Sequence, residues 1–396
     1  MSSVMQTYAR YPLTLVRGEG SYVFDDQGNR YLDFVSGIAV NTLGHAHPAM
    51  MKAISEQAAT MLHCSNLYHV PKQIELADRL VSVSGMGKAF FCNSGAEANE
   101  AAIKIARKHF HDAGSDRRSV ITATNSFHGR LLSTLTATGQ DKVKIGFDPL
   151  PPGFVHVPLN DLSAMQNAVD ENTAAVLLEP LQGEGGVNLA NPEYLQDVRK
   201  LCDEHGVLLM LDEVQTGIGR TGKMFAFEHA GIQPDVLTLA KGLGGGVPIG
   251  AMLASEKVAA AFGAGTHGST FGGNPLSCSA ALAVLETIEN EGLLSNVNRQ
   301  SARLAGGLQA MVEKFPMAES VRGSGFLLGI ACSGAVAPII ESCKTKGLLV
   351  LPAGPNVVRL LPALNIKSGE VDQALAILEQ AFAAVEASEA GVEVEK

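Results

Sequence analysis

The chain of 396 residues lacks tryptophan and has fewer basic than acidic side chains. Lysine and arginine total 30 and aspartate and glutamate total 40, which gives a formal charge of -10. An acidic surface repels the phosphates of nucleic acids and of anionic lipids, so we expect neither as a partner. No apolar run approaches the length of a membrane span, and the opening MSSVMQTYAR lacks the apolar core of a signal peptide.

The six cysteines are scattered, without a C-x-x-C pair and without the spacing of a zinc site. In a chain of this length that usage is typical of a reduced, cytoplasmic protein. His45 and His47 form an H-x-H pair, but no third ligand lies at a suitable distance along the chain. We therefore predict turn or capping roles for these histidines, and no metal.

Short apolar runs alternate with helical stretches through the middle of the chain. The runs lie at residues 88–92, 119–123, 174–179, 207–213 and 236–240. Apolar runs separated by amphipathic helices are typical of an α/β fold with a mostly parallel sheet flanked by helices. From about Ala280 the pattern changes to helices with a few strands, which predicts a smaller α+β domain.

Ligands of open parallel sheets bind beyond the carboxyl ends of the strands. Lys241 follows the strand VLTLA, where partial desolvation would turn its amine into a nucleophile for aldehydes. Asp212 ends the most apolar strand and needs a cationic partner there, such as a pyridinium nitrogen. The alternatives are a surface lysine before a loop and a core aspartate bonded to backbone amides.

Ser94, Gly95 and Ala96 begin a helix after another strand, and Ser94 with Glu97 fits a capping box. Small residues at this position leave backbone N–H groups open to a phosphate, although plain capping is the commoner role. After the next strand, the aromatic ring of Phe127 is suited either to stacking on a cofactor or to core packing. Three residues on, Arg130 is either a carboxylate-binding arginine or an ordinary surface arginine.

A second function class, nucleotide binding, is suggested by residues 217–224, GIGRTGKM. This segment is similar to a phosphate-binding P-loop. It has Met224 where such a loop needs serine or threonine to bind magnesium. The sequence therefore makes nucleotide binding an unfavoured alternative.

Several long segments resemble the class III aminotransferases of fold type I. They cover nearly the whole chain and occur in the family's order: RGEGSYVFDDQGNRYLDFVSGIAVNTLGHAHP, NSGAEANEAAIK, NSFHGR, LLEPLQGEGG, LLMLDEVQTGIGRTGKMFAFEHAGIQPDVLTLAKGLGGGVPIGAM and THGSTFGGNPL. The resemblance implies a large domain over residues 51–280. It also implies a small domain built from both chain ends, residues 1–50 and 281–396.

The resemblance also implies pyridoxal 5'-phosphate (PLP) as the cofactor, with Lys241 holding it as a Schiff base and then moving the proton. Asp212 would pair with the pyridine nitrogen and Gln215 with the ring hydroxyl. Val214 and Phe127 would pack on opposite faces of the ring. The phosphate would be held by the start of the helix, at Ser94, Gly95 and Ala96.

Four further roles follow from the same resemblance. Arg130 would bind the substrate carboxylate, and Glu184 would act as a switch that covers a second arginine, Arg359. Thr270, with Ser269 beside it, would reach the cofactor phosphate of a second copy, which makes the protein a homodimer.

The substrates implied by the resemblance are N2-acetyl-L-ornithine and 2-oxoglutarate. They would give N-acetyl-L-glutamate 5-semialdehyde and L-glutamate, a step of arginine biosynthesis. Ornithine, succinylornithine and 4-aminobutyrate are alternative donors. An aminomutase, which needs no second substrate, is a further alternative within the same fold.

Overall fold

The computed structural model describes residues 3–394. Its strands are β1 (Leu15–Glu19), β2 (Tyr22–Asp25), β3 (Arg30–Asp33), β4 (Lys88–Cys92), β5 (Ser119–Ala123), β6 (Phe154–Val157), β7 (Thr173–Leu178), β8 (Leu181–Gln182), β9 (Asn188–Leu189), β10 (Leu208–Asp212), β11 (Val236–Leu239), β12 (Gly250–Ala254), β13 (Ala318–Ser324), β14 (Leu327–Cys332), β15 (Leu348–Leu349), β16 (Leu351–Pro352) and β17 (Val357–Leu360).

The helices separate these strands along the chain. They are α1 (Ser36–Ala39), α2 (Pro48–Thr60), α3 (Pro71–Ser84), α4 (Gly95–Asp112), α5 (Leu132–Ala137), α6 (Leu162–Ala168), α7 (Pro192–His205), α8 (Glu256–Ala259), α9 (Pro275–Asn290), α10 (Leu293–Lys314), α11 (Ala337–Thr345) and α12 (Ser368–Val394). Short 3-10 turns lie at Asp141–Val143, Ala226–His229 and Lys241–Leu243. Among residues 3–394, no helix combines the length and the apolar character needed to cross a lipid bilayer.

The largest sheet has seven strands in the order β4-β12-β11-β10-β7-β5-β6. Only β12 runs antiparallel to its neighbours, and the other pairs are parallel. Both β7 and β10 are buried along their whole length, as expected for strands covered by helices on both faces. The prediction of an α/β fold with a mostly parallel sheet is confirmed.

Helix α4 shows how the sequence places a helix on this sheet. Ala98, Ala101, Ala102 and Ile105 recur at helical spacing and are all buried. This face packs on β11 and β12. Because three of the four side chains are only methyl groups, the helix axis can approach the sheet closely, which brings the start of α4 beside the ends of the strands.

Two smaller sheets involve the chain ends. One is antiparallel, in the order β13-β14-β17-β16. The other has the order β1-β2-β3-β15, in which Leu348 and Leu349 pair in parallel with Leu32 and Asp33. Segments from the two ends of the chain therefore share one sheet. The domain limits at residues 50 and 280 stay a prediction.

Candidate active site

A cavity of about 420 Å³ opens at the carboxyl ends of β4, β5, β7, β10 and β11. The loop after each of these strands contributes residues to the lining, as the sequence predicts. The predicted site residues in the lining are Ser94, Gly95, Ala96, Phe127, Arg130, Glu184, Asp212, Val214, Gln215 and Lys241. They come from segments spread over some 150 positions of the chain, which the parallel sheet brings together.

Lys241 begins a 3-10 turn directly after β11 and has a positive φ of 40°. The next residue, Gly242, is anchored through its carbonyl oxygen, which accepts a hydrogen bond of 2.8 Å from the Thr42 hydroxyl. Burial lowers the pKa of Lys241, and the nearby Glu184 carboxylate offsets only part of this effect. The amine is therefore closer to its neutral, nucleophilic form than an exposed lysine.

Asp212 is 4% exposed and is held by three donors. Its Oδ2 accepts a hydrogen bond from Asn99 Nδ2 at 2.6 Å and lies 2.8 Å from His128 Nδ1. Its Oδ1 accepts from the Val214 amide at 3.0 Å. The Thr238 hydroxyl in turn donates to Asn99 Oδ1 at 2.7 Å, so the orientation of the carboxylate is fixed from behind.

Two of these partners, Asn99 and His128, were not predicted as site residues from the sequence. Both are buried, and His128 Nε2 has no hydrogen-bond partner within residues 3–394. A signal for Asn99 was present, since it is a polar residue on the buried alanine-rich face of α4. Such a side chain needs an internal partner, and here the partner is Asp212.

Glu179 is a further carboxyl group of the lining that the sequence did not resolve. It is 6% exposed, and its Oε2 accepts a hydrogen bond from the Phe127 amide at 2.9 Å. Burial and the negative charge of Asp212 raise the pKa of Glu179 well above its ordinary value. The group therefore holds its proton more tightly than an exposed glutamate does, and it fixes the backbone that carries Phe127.

The start of α4 forms one wall of the cavity. Ser94 Oγ accepts from the Glu97 amide at 3.2 Å and donates to Glu97 Oε2 at 3.0 Å, which confirms the predicted serine cap. A Cβ atom on Gly95 would lie 2.6 Å from Val214 Cγ1, so only glycine fits at this contact. The N–H groups of a first helical turn have no acceptors within the helix, and they suit a phosphate.

Phe127 and Arg130 lie on the loop after β5. The Arg130 guanidinium carbon is 5.7 Å from the centroid of the Phe127 ring, and Arg130 is exposed to solvent. The chain gives this arginine no carboxylate partner within 4 Å among residues 3–394. An arginine in this position is open to an incoming carboxylate.

Glu184, which lines the cavity, forms an ion pair with Arg359, and the switch role of this pair stays a prediction. Arg359 is 2% exposed, and its Nη1 lies 2.7 Å from Glu184 Oε1 while its Nη2 lies 3.3 Å from Oε2. Arg359 Nη1 also donates to the Gly183 carbonyl oxygen at 2.8 Å. Burial raises the pKa of Glu184, but Arg359, Lys241 and Gln215 together lower it more, with the charge of Arg359 as the largest lowering cause, and the net pKa is below normal.

Ser269 and Thr270 lie outside this lining. Ser269 Oγ accepts a hydrogen bond of 3.2 Å from Asn93 Nδ2, next to the start of α4. Thr270 is exposed. Within the described chain, Thr270 therefore does not join the cavity of its own subunit.

The P-loop-like segment, residues 217–224, does not build a phosphate site. Arg220 is 2% exposed and bonds to the carbonyl oxygens of Phe326 and Pro362. The segment continues into the 3-10 turn Ala226–His229 rather than into an α-helix. His45 pairs with Asp33 at 2.7 Å and His47 caps α2, in line with the predicted turn and capping roles.

The fold and this constellation of lysine, aspartate, helix start and paired arginine define an aminotransferase. The sequence model of the family described as aminotransferase class-III matches residues 4–382, and the chain belongs to this family. Its relatives include an acetylornithine aminotransferase of Gloeobacter violaceus, 54% identical over 96% of both chains. Another is the acetylornithine aminotransferase of Caldanaerobacter subterraneus subsp. tengcongensis, 51% identical over 96% of this chain and 98% of its own.

The chain is also similar to solved structures of aminotransferases. The N-acetylornithine aminotransferase of Stenotrophomonas maltophilia K279a is 40% identical, with a TM-score of 0.84 over 96% of this chain and 98% of its own. An ornithine aminotransferase of Toxoplasma gondii, crystallised with partial occupancy of PLP at its active site, is 34% identical. Its TM-score is 0.94 over 98% of this chain and 93% of its own.

Class-III aminotransferases use PLP, and the cavity fits this group. Its volume is in the range of small-molecule sites. A desolvated amine at Lys241 suits an aldehyde, the buried Asp212 carboxylate suits a pyridinium nitrogen, and the open first turn after Ser94 suits a phosphate. The three groups line one cavity, so one ligand can meet all of them.

Proposed function

We propose that this protein transfers the terminal amino group of N-acetylornithine to 2-oxoglutarate, giving N-acetylglutamate 5-semialdehyde and glutamate. Relatives with this activity in their names are 54% and 51% identical over nearly the whole chain. The observation that carries the proposal is a second arginine, Arg359, which is buried and paired with Glu184. Glu184 in turn lines the same cavity as Lys241 and Arg130. One site can then serve substrates with one or two carboxylates.

We assign the cofactor contacts as the sequence predicts them. When bound, PLP supplies an aldehyde for the amino group and an electron-withdrawing ring. Asp212 would hold the proton of the ring nitrogen, and the N–H groups after Ser94 would bind the phosphate. The Lys241 amine would hold the cofactor through its aldehyde, and as a free amine it would take up the proton that leaves the amine-bearing carbon of the substrate.

Substrate binding falls to the two arginines. Arg130 binds the α-carboxylate of N-acetylornithine, while Glu184 keeps Arg359 neutralised beside the apolar part of that substrate. Glutamate and 2-oxoglutarate carry a second carboxylate, which replaces Glu184 on Arg359. The exchange is possible because Glu184 is half-buried whereas Arg359 is fixed in the sheet at β17, opposite Gly329.

We further propose a homodimer in which Thr270, with Ser269 beside it, reaches the phosphate site of the partner. The surface around these residues supports this, because Leu67, Tyr68 and Phe271 are 87%, 70% and 62% exposed. Asn66 Nδ2 donates to the carbonyl oxygens of Ser269 and Gly272, so both segments form one surface. Large exposed apolar side chains grouped in this way are typical of an interface.

Ornithine is the second candidate donor, supported by the TM-score of 0.94 with the Toxoplasma gondii enzyme at lower identity. Succinylornithine and 4-aminobutyrate are weaker alternatives of the same chemistry. The test is a panel of these three donors and N-acetylornithine, each with 2-oxoglutarate as acceptor, and each also without any acceptor.

We expect the highest kcat/KM for N-acetylornithine and no sustained turnover without 2-oxoglutarate. A tenfold or greater preference for ornithine would replace the proposed donor. Sustained turnover of a donor in the absence of any oxo acid would instead indicate an aminomutase.

A further inference from the structure

The side-chain amide of Gln215 joins both members of the Glu184–Arg359 pair. Its Oε1 accepts a hydrogen bond from Arg359 Nη1 at 3.2 Å. Its Nε2 donates to Glu184 Oε1 at 3.1 Å. Gln215 is 8% exposed and also lines the cavity. One amide group therefore contacts the arginine, the glutamate and the space in which the cofactor binds.

The backbone at Gly183 holds this amide in place. A Cβ atom on Gly183 would lie 2.2 Å from Gln215 Oε1, which means that the amide occupies the space of the missing side chain. The Gly183 carbonyl oxygen at the same time accepts from Arg359 Nη1. The absence of a side chain at Gly183 therefore provides the room that Gln215 occupies beside the ion pair.

We infer that Gln215 couples the Glu184–Arg359 pair to the cofactor, so that a dicarboxylate on Arg359 tightens cofactor binding through this amide. With the pair closed, one Nε2 hydrogen of Gln215 is committed to a carboxylate that belongs to the protein. When the second carboxylate of a substrate displaces Glu184, that hydrogen loses its acceptor. A buried donor without an acceptor costs free energy, and an oxygen of the cofactor in the cavity can supply one.

Coupling between two binding sites is reciprocal. If a bound dicarboxylate strengthens the hold on the cofactor, the bound cofactor strengthens the hold on a dicarboxylate by the same factor. Donors with a single carboxylate leave the pair closed and do not gain from this coupling. Gln215 is thus a positioning residue that favours dicarboxylates when the cofactor is in place. The inference rests on the proposed role of Glu184 and Arg359.

The experiment measures the affinity of PLP for the protein by equilibrium dialysis, with and without glutarate. Glutarate has the two carboxylates of 2-oxoglutarate but no oxo group, so it does not react. One hydrogen bond is worth about a three- to tenfold change in affinity, and we expect glutarate to tighten PLP binding by about that factor. Butyrate, with one carboxylate, should leave the affinity of the cofactor unchanged.

Two variants remove the side-chain amide of Gln215 from its contacts with the Glu184–Arg359 pair, each in a different way. Gln215→Met removes the hydrogen-bonding atoms and keeps the length of the side chain, while Gly183→Ala pushes the intact amide away. Both should reduce the glutarate effect to less than about twofold. The matched control is Gln182→Met, because Gln182 is equally buried but bonds to Thr124 and Asn188 instead. It should keep the full effect.

The outcomes separate this inference from the function on which it rests. Tightening by glutarate that persists in both Gln215→Met and Gly183→Ala overturns the coupling. Glutarate that binds to the native holoenzyme by calorimetry without tightening PLP also overturns it, while the gate stands. Glutarate that binds Arg359→Ala as well as the native protein overturns the gate, and the coupling with it.

Discussion

Asp212 and Asp33 are both buried and both lie beside a histidine, but only Asp212 lies at the candidate active site. Each lies within 2.8 Å of a histidine nitrogen, Asp212 with His128 and Asp33 with His45. Asp212 lines the cavity of the candidate active site, whereas Asp33 lies at the end of β3 in a different part of the molecule. Asp33 can therefore serve as a control when the negative charge of Asp212 is removed by mutation.

We predict that Asp212→Asn keeps the shape of the site and binds PLP but slows the first half-reaction by about a hundredfold or more. The reason is that an amide cannot stabilise a protonated ring nitrogen as a carboxylate does. Single-turnover stopped-flow absorbance with N-acetylornithine measures this rate. Asp33→Asn serves as the control and should stay within a few fold of the native protein.

A near-native single-turnover rate for Asp212→Asn would show that another group holds the ring nitrogen. The sequence could point to Asp212 because a carboxylate that ends so apolar a strand requires a cationic partner. It could not assign Asn99, which lies 113 positions earlier in the chain and meets Asp212 only after α4 has packed on the sheet. Partners that depend on tertiary packing leave no local pattern.

At the scale of elements, the turn α1 has an unusual backbone. Ser36, Gly37, Ile38 and Ala39 all have positive φ values, from 48° to 64°, so the turn is left-handed. Such a conformation costs residues other than glycine about 1–2 kcal/mol each. Val40, directly after the turn, lines the cavity. Strain of this kind persists where the surrounding structure fixes it, and it is common at functional sites.

We predict that Ala39→Gly leaves the free energy of unfolding unchanged or raises it by up to about 1 kcal/mol, because glycine adopts positive φ without strain. The control is Ala102→Gly, at an equally buried position of the right-handed helix α4, which should lose about 1 kcal/mol or more. Urea unfolding of both variants measures the difference. Equal losses at the two positions would mean that the left-handed turn carries no strain.

Five of the seven strands of the central sheet could be predicted from the sequence to within a residue or two, whereas β6 and β12 were not predicted. Lys88–Cys92 and Ser119–Ala123 have the predicted limits, because continuous apolar runs bounded by polar residues are a local signal. The left-handed turn could not be predicted. Its sequence SGIA contains one glycine, and nothing in Ile38 or Ala39 favours a positive φ.

At the scale of the whole molecule, the loop that carries Ser269 and Thr270 is fixed to the start of α4 but contributes no residue to the lining of the cavity of its own chain. Ser269 Oγ accepts from Asn93 Nδ2, and Asn93 also bonds to Glu97 in the first turn of the helix. The loop therefore has a defined position while Thr270 stays exposed. In the proposed dimer, the exposed Thr270 contacts the second copy of the chain.

We predict that Thr270→Val weakens the retention of PLP by about three- to tenfold, because one hydroxyl donor to the partner's phosphate site is lost. Thr266→Val, at another exposed position of the same loop, should have no effect. Cofactor release during dialysis measures retention, and sedimentation at decreasing concentration measures the dimer. A monomer that retains PLP as well as the dimer does would contradict this arrangement.

The whole-molecule assignment depended on long motifs rather than on any single residue. Lys241 alone is compatible with a surface lysine, and Ser94 alone with a plain helix cap. Their order along the chain with Asp212 matched a known family, and the fold then brought all three to one cavity. The role proposed for Thr270 had no signal in composition or periodicity and came from the resemblance alone.

The central claim is that a fixed Arg130 and a covered Arg359 let one site run both half-reactions. Removing Glu184 leaves Arg359 uncovered beside the apolar part of N-acetylornithine, while the second carboxylate of glutamate still finds its partner. Removing Arg359 has the opposite effect. A charge-assisted pair contributes about 1.5–3 kcal/mol, so each selective loss should be roughly ten- to a hundredfold.

Stopped-flow single turnover of the two half-reactions tests this claim most directly. For Glu184→Ala we predict a loss with N-acetylornithine and an unchanged or faster reaction with glutamate. For Arg359→Ala we predict a loss mainly with glutamate and 2-oxoglutarate, and for Arg130→Ala a loss in both half-reactions. Equal losses in both half-reactions for Glu184→Ala and for Arg359→Ala would contradict the account and leave their ion pair a structural contact.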